Sequence, residues 1–162
     1  MSYDIEKDWI TTAGFRAVVI MGSMGHRCGY VGVSESHPLY EKDYNDALES
    51  INVDEDESIG KRSILGLLCS KANSPSLAFD VHGGITYADG GKDSKYPVIS
   101  DLWWFGYDCN HLGDAKSPEY IDKKALQGHS FYSYQDGIHR SLDYCIAECE
   151  SLATQFLTKV KV

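Results

Sequence analysis

The chain has 162 residues with 43% hydrophobic content, which suits one folded domain and excludes a disordered protein. Its formal net charge of -9, with no basic residues interleaved among the aromatics, argues against direct nucleic-acid binding. The acidic opening MSYDIEKDWI lacks the basic and apolar parts of a secretory leader, and no apolar run nears the roughly 20 residues of a membrane helix, so a soluble cytoplasmic protein is expected.

In chain order, Phe15–Met21 (FRAVVIM) is β-branched and apolar and predicts a buried strand. The glycine-rich MGSMG then turns the chain into a second strand, His26–Val33, to complete a hairpin that Pro38 prevents from continuing. Tyr40–Ser50 predicts a short helix with Tyr44, Ala47 and Leu48 on one side. Val53–Ser58 reads as an acidic loop, and Ser63–Leu68 as a strand or a single helical turn. Leu77–Tyr87 predicts a strand broken at Gly83–Gly84 by a bulge or a close backbone approach, followed by a turn region, ADGGKDSKYP. Val98–Tyr107 predicts a further strand in which alternation buries one tryptophan and leaves the other near the surface. Pro118–His129 suggests a short helix. From about 135 to 159, Leu142, Cys145, Ile146, Cys149, Leu152, Ala153 and Phe156 recur at three- and four-residue steps, one face of an amphipathic helix. Strands followed by a long closing helix predict a single α+β domain over residues 1–162, with a largely antiparallel sheet-rich part at 9–114.

The negative charge is concentrated. Between Glu35 and Glu57 nine acidic residues face one basic residue, Lys42, a net of -8. Glu41, Asp43, Asp46, Glu49, Asp54, Glu55, Asp56 and Glu57 therefore form a candidate surface for a basic protein partner; the plain alternative is a solvated face. The five cysteines, Cys28, Cys69, Cys109, Cys145 and Cys149, follow no disulfide rhythm and contain no CxxC pair. Cys145 and Cys149 lie on the apolar helix face and read as core residues.

Three phrases hold the ligand-type side chains: GHRCGY with His26 and Cys28, VHGG with His82, and WWFGYDCNHLGD with Asp108, Cys109, His111 and Asp114. Residues two apart in a strand share a face, so His26 pairs with Cys28, and Cys109 with His111 if the strand persists. Convergence of these pairs with His82 suits tetrahedral zinc on thiolate and imidazole, with Asp108 and Asp114 orienting the rings. Soft sulfur argues against magnesium or calcium. The competing readings are hydrogen-bonded core histidines with plain buried thiols, or a cysteine nucleophile (Cys28 or Cys109) with a histidine base. The zinc-deaminase and H-E-x-x-H patterns are missing, as are both glycine-rich phosphate motifs.

Carrying MGHRCGYVGV, VHGGITY and WWFGYDCNHLGD in that order, residues 9–114 resemble a family of short phage and prophage proteins, and this type of sequence looks like a phage-encoded type II anti-CRISPR, a metal-containing inhibitor of Cas9. The resemblance implies a non-enzymatic inhibitor in the bacterial host cytoplasm, with zinc as a structural part and the Cas9 effector as protein partner. Two other readings stay open, a cysteine- or zinc-dependent hydrolase and a phage sponge for a small signalling nucleotide. Few basic residues flank the motifs, Lys92 and Lys95 being the nearest, which counts against the sponge.

Overall fold

The computed structural model describes residues 2–52, 73–111, 113–128 and 137–161. Five strands form one antiparallel sheet: β1 (Tyr3–Ile10), β2 (Arg16–Gly22), β3 (Arg27–Val33), β4 (Tyr87–Gly90) and β5 (Trp103–Asp108), in the order β1-β2-β3-β5-β4. Among the described residues three helices accompany them, α1 (Pro75–Ala78), α2 (Pro118–Leu126) and α3 (Leu142–Thr158). The protein is an α+β domain with a long C-terminal helix, as its pattern predicts.

Both faces of the sheet are covered, which explains why β2 reads as an unbroken apolar run. Ala17 and Val19 join Val31, Val33, Phe105 and Tyr107 in the larger core, beneath α3. Val18 and Ile20 point the other way, with Tyr30 and Trp104, and are covered by Tyr96, Val98 and Leu102. Helix α3 starts where Ser141 Oγ accepts the backbone N–H of Tyr144, and it buries Cys145, Cys149, Leu152, Ala153 and Phe156. Phe156 packs edge-on against Phe15, Phe79 and Phe105. Trp104 is fully buried, whereas Trp103 is half-buried and donates its indole N–H to Lys42 O.

Several local expectations change. Tyr3–Ile10, acidic and without clear alternation, is a strand held by β2. The stretch 40–50 is a series of turns rather than a helix: Asp43 Oδ1 accepts Asn45 N–H, Asp46 Oδ2 accepts Asp43 N–H, and Glu41 is left-handed at φ 60. Side chains that capture neighbouring N–H groups offer the backbone an alternative to the helix. The expected strand at 77–87 is instead α1, an irregular stretch and a turn at 81–84; strand pairing starts only at Tyr87, the last residue of the expected strand, and runs on through Gly90 into the region expected to be a turn. The strand expected from Val98 begins at Trp103. The loop at 53–58 and the element at 63–68 lie outside the described residues. No helix among the described residues is long and apolar enough to cross a membrane.

Candidate metal centre

Two turns meet at the end of β5. After Asp108 the strand stops, and the chain folds so that Asp114 N–H donates to His111 O at 3.0 Å while His111 N–H donates to Asp114 Oδ2 at 3.1 Å. The segment is tied to residues near α3: Ala115 N–H donates to Ile138 O and Ile138 N–H to Gly113 O, which brings Arg140 Nε within 2.8 Å of Asp114 Oδ1. Facing it is the 81–84 turn, closed by Gly84 N–H on Val81 O, with Val81 anchored in the core. This presents His82 Nε2 at 2.8 Å from Asp114 Oδ2.

Gly83 makes the approach possible. Its φ is +68, and a Cβ there would lie 2.3 Å from His111 Cε1. Only a residue without a side chain lets the turn come this close.

One donor atom each from His82, His111 and Asp114 lies within 4.8 Å of the others, the one such group among the described residues. His111 Nδ1 is buried and has no hydrogen-bond partner, although Asp108 Oδ1 is 3.5 Å away and Asp114 Oδ2 3.7 Å. A buried polar atom left unpaired is costly, and a cation shared with Asp114 and His82 would satisfy it. Burial works to raise the pKa of Asp114, but the Arg140 guanidinium, His82 and the His111 N–H outweigh it and hold the carboxyl below its usual range. The group is therefore an ionised carboxylate beside two imidazoles, a donor set that fits zinc and similar divalent ions.

Nothing matches by similarity. No protein-family model, curated protein or solved structure corresponds to this chain.

The residues singled out by sequence part company here. His82 and His111 come together, and Asp114, expected in an orienting role, stands among the donors. Asp108 remains at the margin, accepting Asn110 N–H and the Thr86 hydroxyl. Cys109 and His111 do not share a strand face, because β5 ends at Asp108. Cys109 instead turns into the core, its Sγ 3.7 Å from Cys145 Sγ. Cys28 packs with the second core against the other face of the sheet, and burial pushes its thiol up to about 11. Hydrogen bonding to Cys145 and burial raise Cys109 as well, so neither thiol has the lowered pKa expected of a cysteine nucleophile. His26 is drawn elsewhere: its Nδ1 accepts from Lys116 Nζ at 3.3 Å, and Lys116 also donates to Asn110 Oδ1 at 2.6 Å. Burial, then the Lys116 charge, lowers its pKa.

Glu35, Glu41, Asp43 and Glu49 are exposed and Asp46 is half-buried; no salt bridge among the described residues engages them. Asp54, Glu55, Asp56 and Glu57 lie outside the described residues. An open cleft of about 910 Å³ lies beside this surface, lined by Glu35, Glu41 and Asp101 but also by Lys42 and Lys92. Charges of both signs make it a poor fit to a polyanionic nucleotide.

Sequence reasoning missed Arg140, Tyr144, Glu148 and Lys116. Tyr144 and Glu148 sit one helical turn apart, a spacing visible in the sequence, but on the polar flank of a helix whose apolar face draws the eye.

Proposed function

We propose that this chain is a zinc-binding protein that acts by docking rather than by turnover, as a phage-encoded cytoplasmic inhibitor of a Cas9-type effector. The observation that carries the metal is the meeting of His82, His111 and Asp114 around an unpartnered His111 Nδ1. Two of the phrases behind the resemblance, VHGG and DCNHLGD, supply all three donors. The ion would tie the 81–84 turn to the end of β5. Docking is assigned to the acidic surface around Glu35, Glu41, Asp43, Asp46 and Glu49, continued in sequence by Asp54–Glu57, whose charge suits the basic nucleic-acid channel of such an effector.

The deciding experiment pairs metal analysis with a cleavage assay. Protein purified without chelator is expected to hold one equivalent of zinc, to lose it with His111→Ala, and to slow DNA cleavage by the loaded effector in a salt-dependent way. A metal-free protein sinks the metal centre, and uninhibited cleavage sinks the docking role.

One observation favours a second reading, a metal-dependent hydrolase. Among the described residues the donor set numbers three, the count of catalytic rather than structural zinc sites. A divalent ion with an open position supplies a water of lowered pKa as nucleophile. Turnover of a generic ester or phosphodiester that disappears with His82→Ala in a folded protein would favour this reading over the inhibitor.

A further inference from the structure

The partners of His82 on its other ring nitrogen have no role in the donor set itself. His82 Nδ1 lies 2.7 Å from the Tyr144 hydroxyl, and that hydroxyl donates to Glu148 Oε1 at 3.1 Å. The rings of His82 and Tyr144 stand nearly perpendicular at 89°, with centroids 5.4 Å apart, so the contact is edge-on and directional. The Arg140 guanidinium lies 5.3 Å over the Tyr144 ring and bonds Asp114 on its other side, closing the circuit.

Counting protons then orders the chain. Tyr144 has one hydroxyl hydrogen; where it is given to Glu148 Oε1, the phenol oxygen is left to accept from His82. Its donor is the Nδ1–H. A neutral imidazole with its proton on Nδ1 has a lone pair on Nε2, aimed at Asp114 Oδ2 2.8 Å away. Two acceptors at that distance repel. A second proton or a metal ion between them removes the conflict, and the unpartnered His111 Nδ1 beside them favours the ion.

We propose that Tyr144 and Glu148 of α3 are positioning residues for the metal centre, committing His82 to bind through Nε2. The proposal rests on the metal reading of His82, His111 and Asp114 and assigns the outer arm that orients one of its ligands. Such outer partners fix the tautomer and ring orientation of a ligating histidine, and their loss typically costs 10–100-fold in metal affinity. The arm also joins the site to α3, which already clasps this segment where Asp80 N–H donates to Gln155 Oε1 and Gln155 Nε2 donates to Asp80 O, each at 2.7 Å.

The test titrates Co²⁺ into the full chain, wild type and variants, following its visible absorption, with affinities measured by competition against a chelator. Tyr144→Phe keeps the ring and removes the hydroxyl; it is expected to weaken binding about 10–100-fold and shift the Co²⁺ bands. Glu148→Ala should weaken it in the same direction, whereas Glu148→Gln, which retains an acceptor oxygen, should stay close to wild type. Urea unfolding without metal separates these effects from a loss of folding, and Glu148→Ala answers the question if Tyr144→Phe does not fold. Wild-type affinity and spectrum in both Tyr144→Phe and Glu148→Ala overturn the positioning role alone. Failure of the wild-type chain to bind Co²⁺ overturns the metal reading and this inference with it.

Discussion

Replacing Gly83 by alanine separates the close approach at the candidate metal centre from ordinary backbone strain. At φ +68 any side chain pays the left-handed penalty, about 1–2 kcal/mol. The added Cβ would also stand 2.3 Å from His111 Cε1 and 2.6 Å from its Nδ1. Carbon atoms in contact normally sit about 3.5–4.0 Å apart, so the imidazole or the turn must move by about 1 Å or more. Overpacking of this kind adds about 1–3 kcal/mol, for a total of about 2–5 kcal/mol. Metal–donor distances tolerate only about 0.2 Å, so a displaced His111 should lower zinc affinity at least about 100-fold. Gly84 provides the control: its φ is +80, yet nothing lies within 4 Å of its Cβ position. Gly84→Ala should therefore lose about 1–2 kcal/mol and keep its metal. Urea unfolding of both apoproteins and zinc competition with a chromophoric chelator read the two quantities. Equal zinc affinity in Gly83→Ala and Gly84→Ala would refute the reasoning, because the distinguishing contact would then have no consequence.

Three further outcomes are expected. Phe156→Ala removes the ring shared by Phe15, Phe79 and Phe105, and should cost about 3–5 kcal/mol by chemical denaturation, with α3 loosened from the sheet. The Trp9 indole N–H, with help from Thr12 N–H, holds the Glu150 carboxyl below its usual pKa. A depressed folded-state pKa means that this contribution is complete above the unfolded value of about 4.5 and disappears as pH falls through the lower folded value; Glu150→Gln should accordingly flatten stability against pH below about 4.5. Reversing Glu41, Asp43 and Glu49 to lysine should weaken inhibition and reduce its salt dependence, and full inhibition by that variant would remove the acidic surface from the docking role.

The fold class was legible in the chain because its signals are local. The unbroken apolar run FRAVVIM and the three- and four-residue spacing from Leu142 to Phe156 are local patterns that no distant contact has to supply. The glycines of VHGG likewise announced a close backbone approach, though not what approached. Tertiary structure decided the rest. β1 carries little strand pattern and is a strand because β2 offers it a ladder. The 40–50 segment follows helical spacing but yields to side chains that take its N–H groups.

At the site, residue types were readable and partners were not. The sequence by itself determined that histidines, cysteines and aspartates cluster in three phrases. Only the three-dimensional arrangement separated them. The end of β5 at Asp108 sends Cys109 into the core and His111 out toward His82, and the bridge between Asp114 and Ile138 carries Arg140 to the carboxylate. Spacing along a strand tells which side chains share a face only while the strand lasts, and here the chemistry begins where it stops.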